Sequence, residues 1–518
     1  MLLLTIDRQA ELPLHRQVVQ QLRRKIERGD LRCGDRLPST RRLGDLLGIH
    51  RATAALAYQE LWSLGYLDLR EKATPQVRQR RQLAGGEARS GQRLDWEALS
   101  SATSRLVFAE DQAVPPVPSQ TDLINLATLD LDPALFPIAR FRECLARVLS
   151  KDGAGLLGYG DRLGFPPLRD CVSRRLRQHG ITAELPEVLL TNGSQHGLDL
   201  LLRLAADGRR GIAVEEPTYD TFLRLLHSYG SPTYPVPMTP AGMDLIRLER
   251  LLRTTALAYI YTIPTFQNPT GISAGQAQRE RLLALAEHYR VPLIEDGFDE
   301  EMKFFGNSIL PIKSMDRMGC VIYCGTFSKV LFPGCRIGWV VADPDCIARL
   351  GALRRTQDLS SSVLLQAALW DFCEHGYFDR HLARMHRVFK RRMRCALGAL
   401  RRHIPPAHAT WADPPGGYLL WLRLPDGVDA DAVVAYGLRA GVRVLSGRPF
   451  FPRASRAGYL RLSVSSAGEP EIEEGIRRLE LALRTVHQGA AQLRHSAPTT
   501  AKAKGRWSAG RPHAGRVS

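Results

Sequence analysis

The sequence contains few residues of the kinds that define secreted, membrane-spanning or metal-binding proteins. Its nine cysteines form no CxxC pair and no metal-ligand spacing, which favours structural thiols in a reducing compartment and no resident metal. It has no apolar run long enough to span a bilayer, and the apolar start MLLLTIDRQAEL is too short for a signal peptide. We therefore expect a cytoplasmic protein with no membrane contact.

Acidic residues are also scarce relative to basic ones. The chain has 53 Asp and Glu against 71 Lys and Arg, a formal net charge of +18. Such an excess indicates either a solvated basic surface or a polyanionic partner such as nucleic acid. At 518 residues the chain is long enough for more than one domain.

Two stretches have the composition of unfolded segments. Residues 79–120 are rich in Gly, Ser, Pro and charge, which predicts a flexible linker with one helical turn around residues 96–99. Residues 487–518 are basic, with no acid and few large apolar side chains, which predicts a disordered tail. The linker separates an N-terminal domain, residues 1–78, from a larger one, residues 121–486.

The N-terminal domain follows a helix, helix, glycine turn, helix and hairpin pattern. Apolar residues recur every four positions in residues 12–28, and Ser39 is the candidate N-cap of a short second helix. After the turn at Gly48, a third helix covers about residues 51–64, and a hairpin returns near Val77. This outline is that of a mainly α winged helix-turn-helix; the alternative is a small helical domain with a basic surface. The predicted core positions are Leu14, Val18, Leu22, Ile26, Leu43, Leu46, Leu47, Leu56, Ala57 or Tyr58, and Leu61.

The stretch GDRLPSTRRLGDLLGIHRATAALAYQELWSLGYL resembles the DNA-binding domain of GntR-type bacterial regulators. That resemblance implies a domain that binds double-stranded promoter or operator DNA. Two positions depart from the family: His50 replaces the usual capping serine, and the wing tip at residues 70–74 lacks the usual glycines. The candidate DNA contacts are Arg36, Ser39, Thr40, Arg41, His50, Arg51 and Thr53.

In the larger domain, strands and helices alternate and polar motifs follow the strands. This pattern predicts an α/β architecture whose site lies at the carboxyl ends of the strands. The most specific motif is GTFSKVLFPGCRIGW, in which Lys329 follows a predicted buried strand at residues 320–324. A desolvated lysine can form a Schiff base with an aldehyde, and the nearby hydroxyls and Arg336 can hold a phosphate. Together these residues suggest pyridoxal phosphate, whereas Lys329 alone could be an ordinary loop lysine.

Other strand ends offer groups that complement this cofactor. The helix start at Ser194 and Gln195 suits a phosphate. Tyr219 can stack on a pyridine ring, and Asn268 can bond its phenolic oxygen. Asp296, as a buried carboxylate, needs a partner such as a protonated pyridine nitrogen. Arg461 can clamp a carboxylate with its two-pronged guanidinium.

In this order the motifs resemble those of the fold type I, aspartate aminotransferase-like family, over roughly residues 121–486 with a smaller α+β C-terminal part from about residue 375. The resemblance implies that Lys329 is the catalytic Schiff-base lysine, Asp296 the pyridine partner and Arg461 the substrate carboxylate clamp. It also implies that Tyr159 reaches the phosphate of a second subunit in a homodimer. Phe298 departs from the family, which usually has a tyrosine there. The implied cofactor-binding residues are Lys329, Asp296, Asn268, Tyr219, Ser194, Gln195, Thr326, Ser328, Arg336 and Tyr159.

A GntR-like head, a linker and an aminotransferase-like domain in one chain resemble the MocR subfamily of bacterial regulators. The resemblance implies a transcription factor that binds pyridoxal phosphate, and we expect it to sense a small amino compound through aldimine chemistry. Two alternatives stay open. The chain could be an active aminotransferase with a dispensable head, or an architectural DNA-binding protein whose enzyme domain has decayed.

Overall fold

The computed structural model describes residues 4–69, 74–78, 94–112, 122–205, 209–306, 309–453 and 458–496. The chain divides into two compact units, Met1–Leu99 and Ser100–Ser518, each described here by itself. Within the described ranges, no helix combines the length and the apolar character that crossing a bilayer requires.

The N-terminal unit has the predicted winged helix-turn-helix order. Its first helix, the turn pair and the hairpin share one apolar core that includes Val18, Leu43 and Leu61. The two short strands pair antiparallel, with Leu67 opposite Val77. The elements are α1 (Leu14–Glu27), α2 (Thr40–Leu47), α3 (Arg51–Ser63), β1 (Leu67–Asp68) and β2 (Gln76–Val77). Of the predicted wing tip, residues 70–74, residues 70–73 lie outside the described residues.

The prediction that Leu46 and Leu56 belong to the core is wrong. Leu46 is 61% exposed and Leu56 is 53% exposed. Helix α2 turns Leu43 and Gly44 inward, and a Cβ on Gly44 would lie only 2.9 Å from the Ile49 carbonyl oxygen. This close approach directs Leu46 outward. In α3 the inner face consists of residues 54, 57, 58 and 61, spaced as one helical stripe, and Leu56 falls outside that stripe.

The predicted linker contains more helix than its composition indicates. Helix α4 (Trp96–Leu99) matches the predicted single turn, whereas α5 (Ala102–Gln112) was not predicted. Helix α5 buries none of its own residues, so its sequence has no clear apolar stripe. It belongs to the C-terminal unit, where Glu110 lies 3.1 Å from His227.

In the C-terminal unit, the described residues place eight strands in one sheet, in the order β4-β11-β10-β9-β8-β5-β6-β7. The pairings between neighbours are parallel except those of β11 with β4 and β10 and that of β7 with β6, which are antiparallel. The elements are β3 (Ile124–Asn125), α6 (Ile138–Leu156), α7 (Pro166–Arg177), β4 (Val188–Thr191), α8 (Ser194–Ala205), β5 (Gly211–Glu216), α9 (Asp220–Ser228), β6 (Thr233–Thr239), β7 (Gly242–Met243), α10 (Leu245–Thr254), β8 (Leu257–Thr262), α11 (Gln276–Tyr289), β9 (Leu293–Asp296), β10 (Val321–Thr326), β11 (Gly338–Val341), α12 (Pro344–Gln357) and α13 (Val363–Glu374).

The smaller C-terminal part has a four-stranded antiparallel sheet in the order β12-β13-β16-β15. Two long helices, α14 and α16, pack against each other beside it. The elements are α14 (Tyr377–His403), β12 (Thr410–Trp411), β13 (Leu419–Arg423), α15 (Ala430–Arg439), β14 (Val442–Arg443), β15 (Leu445–Ser446), β16 (Tyr459–Ser463) and α16 (Glu469–Ser496).

The predicted disordered tail begins inside a helix. Helix α16 continues through residue 496, so residues 487–496 differ from the prediction. A helix already anchored in the core by Ile472 and Ile476 extends at little cost, because propagation is far easier than nucleation. The rest of the predicted tail, residues 497–518, lies outside the described residues.

Candidate functional site

The parallel strands bring the predicted site residues to one edge of the large sheet. Strand β9 ends at Asp296 and β10 at Thr326, and these strands run side by side. Strands β5 and β8 end just before the segments that carry Tyr219 and Asn268. The carboxyl ends of parallel strands share one edge, so these groups lie along that edge, which we call the candidate pocket.

Lys329 lies in this pocket and is anchored at both ends. Its Nζ donates to the Leu129 carbonyl oxygen at 3.1 Å, and the Tyr418 hydroxyl donates to its backbone carbonyl at 2.5 Å. Burial lowers the pKa of the Lys329 amine; Asp130 opposes this effect, and Arg461 adds to it. A lowered pKa leaves more of the amine unprotonated, which a Schiff-base lysine requires.

Asp296 is the last residue of β9 and has one free acceptor. Its Oδ2 accepts a hydrogen bond from the Tyr261 hydroxyl at 2.8 Å, while its Oδ1 is buried without a partner. Burial raises the pKa of this carboxyl to about 6. An unpaired buried carboxylate oxygen is costly, and a protonated pyridine nitrogen would remove that cost. Asp296 therefore fits the pyridine end of pyridoxal phosphate.

A second group of unpaired polar atoms fits the phosphate end. Gln195 Oε1 and Ser328 Oγ are buried without partners. Thr326 Oγ1 accepts from the Ser328 N–H at 3.1 Å, and Arg336 Nη2 donates to the Asn192 carbonyl oxygen at 3.0 Å. Ser194 begins helix α8, whose free N–H groups and dipole favour an anion.

Two glycines keep this phosphate cradle open. A Cβ on Gly193 would lie 2.7 Å from Arg336 Nη2, and a Cβ on Gly338 would lie 2.7 Å from the Ser194 backbone nitrogen. Gly193 also has a φ of +77°, which side-chain-bearing residues rarely adopt. The guanidinium and the start of α8 can approach each other only because both positions lack a side chain.

Arg461 and Asn268, predicted for different roles, are hydrogen-bonded to each other. Arg461 Nη1 donates to Asn268 Oδ1 at 3.1 Å and Nη2 to the Ala127 carbonyl oxygen at 2.9 Å. The Nε of Arg461 is buried without a partner, and its guanidinium lies 4.8 Å above the Phe450 ring. Burial lowers the pKa of Arg461 to about 10. The arginine thus keeps a free donor for an incoming carboxylate.

The other predicted pocket residues take different positions. Tyr219 is half-buried beside the pocket, and burial raises its pKa to about 12. Phe298 is 8% exposed and packs in an apolar cluster of the large sheet, with no hydroxyl to offer. Tyr159 is 85% exposed, so the chain does not bring it into its own pocket. Its predicted role in a second subunit stays a prediction.

Sequence reasoning missed two polar residues of this region. Tyr261 orients Asp296 and stacks on Phe222 with 3.9 Å between ring centroids. Asp299 is 1% exposed, and neither of its carboxylate oxygens has a hydrogen-bond partner among the described residues. Burial raises the pKa of Asp299, while the charge of Lys329 opposes the rise. A tyrosine in a buried strand needs a partner for its hydroxyl, and that signal could have identified Tyr261.

The predicted DNA contacts lie on the surface of the N-terminal unit around the start of α3. The Ser39 side chain caps α2 by accepting from the Arg42 N–H at 3.3 Å. His50 takes the place of the family serine and caps α3, its Nδ1 accepting from the Ala52 N–H at 3.2 Å. The exposed predicted contacts are Arg36, Ser39, Arg41, His50 and Arg51, and the half-buried ones are Thr40 and Thr53.

The fold and the pocket define the class of protein: a fold type I pyridoxal-phosphate domain joined to a winged helix-turn-helix. Residues 121–479 match the family described as aminotransferase class I and II, and residues 14–74 match the bacterial regulatory proteins of the gntR family. The chain belongs to the aminotransferase class I and II family and, with its GntR head, to the MocR-type regulators. It is a pyridoxal-phosphate-dependent transcriptional regulator.

Two relatives and one solved structure illustrate this membership. The chain is 30% identical to the probable rhizopine catabolism regulatory protein MocR of Rhizobium meliloti, over 94% of this chain and 97% of the relative. It is 35% identical to aromatic-amino-acid aminotransferase 1 of Thermococcus litoralis, over 69% of this chain and 87% of the relative. The crystal structure of α-aminoadipate aminotransferase from Thermus thermophilus superposes with a TM-score of 0.70 at 30% identity. The match covers 76% of this chain and 100% of that structure's chain.

Proposed function

We propose that the aminotransferase-like unit is the sensor of this regulator and that its signal is an amino compound. The observation that carries the proposal is the unpaired Oδ1 of Asp296, buried at the end of the strand that runs beside the one leading to Lys329. A site that had lost its cofactor would have little reason to keep a buried carboxylate oxygen without a partner. This favours a cofactor-binding sensor over a decayed enzyme domain.

The proposed roles follow the geometry. Lys329 would supply the amine for the cofactor aldehyde, and Asp296 would pair with a protonated pyridine nitrogen, which makes the ring an electron acceptor. Asn268 would offer its amide N–H to the phenolic oxygen, and Tyr219 would contribute an aromatic face for the ring. The proposed phosphate ligands are Ser194, Gln195, Thr326, Ser328 and Arg336.

The effector would bind by taking the place of Lys329. Arg461 has a free buried donor, so an amino compound with a carboxylate, such as an amino acid, suits the pocket best. Its binding changes DNA affinity only if it favours one conformation of the regulator over another. We expect the exchange at Lys329 to drive that change.

The test is the variant Lys329→Ala in gel shifts with candidate amino acids. We expect it to bind promoter DNA but to lose every response to the effector, because no amine remains to be displaced. Lys151→Ala, which removes an exposed lysine, is the control and should respond as the wild type does. Borohydride treatment of the protein with pyridoxal phosphate should label position 329; an unlabelled Lys329, or a K329A protein that still responds, would refute the proposal.

We further propose a cytoplasmic homodimer in which Tyr159 of each subunit contacts the phosphate in its neighbour's pocket. The exposure of Tyr159 in the single chain supports this arrangement. Light scattering should give a dimer mass, and Tyr159→Phe should weaken cofactor retention without changing that mass. A monomer with full cofactor affinity would contradict it.

A second candidate function is a working aminotransferase, which the similarity to aromatic-amino-acid aminotransferase 1 of Thermococcus litoralis favours. Phe298 argues that any turnover is slow, because no hydroxyl stands where the family has its tyrosine. We expect Phe298→Tyr to raise keto-acid production from amino donors severalfold and to shift the pH at which the bound cofactor changes colour. Brisk turnover by the wild type, unchanged in F298Y, would instead support the enzyme.

A further inference from the structure

Helix α14 carries a row of exposed arginines along its solvent side. They recur at spacings of four, three, four and three residues, which places them on one helical face. The opposite face is buried through Phe378, Met385 and Phe389. We call this row the α14 arginine stripe; its members are Arg380, Arg384, Arg387, Arg391 and Arg394.

Most of the stripe has no acidic partner. Arg391 pairs with Glu469 at 3.0 Å, but the other four members form no ion pair within the described part of the chain. Arg380 and Arg387 donate only to backbone carbonyl oxygens. The acids nearest the start of the helix, Glu374 and Asp379, are already paired with arginines of α7.

At the C-terminal end of the same helix, two arginines do have acidic partners. Arg401 pairs with Asp413, and Arg402 pairs with Glu473. Helix α14 therefore pairs the arginines at its end with acids, whereas four of the five stripe members have no acidic partner in the described part of the chain.

The stripe costs the isolated helix stability. Like charges three or four residues apart on a helix repel each other and destabilise it. Arg380 also lies in the first turn, where the helix dipole disfavours a cation. The fold gives two of these guanidinium groups aromatic contacts but no negative charge: Arg380 lies 4.9 Å from the Tyr377 ring centroid and Arg394 lies 5.6 Å from that of Phe305. A binding partner of opposite charge would explain both their number and their position.

We propose that the α14 arginine stripe is a second DNA-contacting surface that binds backbone phosphates without reading bases. From Arg380 to Arg394 it spans about 21 Å of helix, the length of roughly six base pairs of duplex. DNA is the polyanion that the GntR head already brings to this molecule. The inference rests on the DNA-binding part of the function and not on the identity of the effector.

The test removes the four unpaired charges together: R380Q, R384Q, R387Q and R394Q. The matched control removes four exposed arginines that do have acidic partners: R253Q, R401Q, R402Q and R448Q. Both variants lose the same net charge. Affinity for a long duplex of random sequence is measured by fluorescence anisotropy over a salt series.

Each phosphate that the protein no longer neutralises reduces the slope of log affinity against log salt by about 0.9. We therefore expect the stripe variant to lose up to about 3.6 from that slope, and the control to keep the wild-type slope. An R384Q/R387Q double variant should lose about half as much, which separates weaker phosphate binding from misfolding. Equal slopes in all variants, or equal losses in stripe and control variants, would overturn the proposal.

One further arm tests a membrane as the alternative partner. Vesicles containing phosphatidylserine should bind the stripe variant and the wild type equally; vesicle binding that depends on the stripe, with an unchanged DNA slope, would overturn the inference. Borohydride labelling of Lys329 and the effector response are measured in the same variants. They should stay intact, so a failed effector response in the wild type would count against the proposed sensor and not against the stripe.

Discussion

At the scale of single residues, the carboxyl group of Asp296 controls a pH dependence that differs with and without cofactor. Its pKa is raised from 3.8 to about 6 by burial, so the cofactor-free fold binds the proton more tightly than the unfolded chain does. The contribution of this proton binding to the unfolding free energy is complete at low pH and is lost as pH rises through about 6. A shift of about two units corresponds to about 3 kcal/mol.

We predict that Asp296→Asn raises the unfolding free energy of the cofactor-free C-terminal unit above pH ~6 by up to about 3 kcal/mol, because no buried charge remains. The same variant should retain pyridoxal phosphate poorly, since it cannot pair with a protonated ring nitrogen. Urea unfolding at several pH values and cofactor dialysis measure the two effects. Asp426→Asn, at a side chain 88% exposed, is the control and should change neither. A variant that is less stable at all pH values would contradict the prediction.

The site residues that the sequence revealed share one property: each follows a strand and belongs to a short local motif. Lys329, Asp296 and Asn268 could be placed in this way from the sequence alone. Tyr261 and Asp299 were missed, because their importance depends on the residues that they face; the one sequence signal was the need of a tyrosine hydroxyl in a buried strand for a partner, which points to Tyr261. A hydrogen bond across 35 residues, such as that from Tyr261 to Asp296, leaves no local pattern.

At the scale of elements, the phosphate cradle depends on how closely strand β11 approaches the start of helix α8. A Cβ on Gly338 would lie 2.6 Å from the Gly193 carbonyl carbon and 2.7 Å from the Ser194 nitrogen. Both are backbone atoms that cannot turn aside, so the helix start would have to move.

We predict that Gly338→Ala weakens cofactor affinity at least tenfold while the protein remains folded, because the N–H groups that face the phosphate are displaced. Gly334→Ala is the matched control: its Cβ would meet nothing closer than 4.0 Å. Fluorescence titration with pyridoxal phosphate compares the two variants. Equal affinities would show that the cradle tolerates the extra carbon.

The cap on the recognition helix gives another prediction at this scale. His50 accepts from the Ala52 N–H, so His50→Ala should destabilise the N-terminal unit by about 1 kcal/mol and lower DNA affinity. His50→Ser keeps a capping oxygen and should restore most of that stability. Thermal unfolding of both variants separates capping from contact with DNA: an unstable H50S protein would mean that the ring matters for another reason.

Sequence patterns located elements well where they bury an apolar face. The helices of the turn pair and the parallel strands were found for that reason. Helix α5 was missed because it buries nothing of its own, and the end of α16 was missed because helix propagation does not need an apolar stripe. Leu46 and Leu56 were assigned inward because hydrophobicity alone does not show which way a short helix faces.

At the scale of the whole molecule, the two units have separate cores. The core of the N-terminal unit shares no residue with the clusters around the large sheet. We predict two unfolding transitions in calorimetry, and we expect pyridoxal phosphate to raise the midpoint temperature of only one of them. Cofactor at 100 times its dissociation constant should add about 2.7 kcal/mol to that transition. A single transition that moves as a whole would show that the units unfold together.

The architecture could be predicted because each domain carries its own motifs, and the order of those motifs identified the family. The meeting of distant segments could not. Leu129, which accepts from Lys329, precedes it by 200 residues, and nothing near either residue announces the contact. The proposed contribution of Tyr159 to a second subunit likewise depends on a partner that a single chain does not contain.

The absence of a hydroxyl at Phe298 has a consequence for the proposed sensor. A detector that converts what it detects lowers the very concentration it reports, and its reading then depends on how many copies of the detector are present. A pocket that binds an amine and turns it over slowly consumes little of the effector. Transcription of the regulated gene would then follow the supply of the effector alone, and each released effector molecule could bind again.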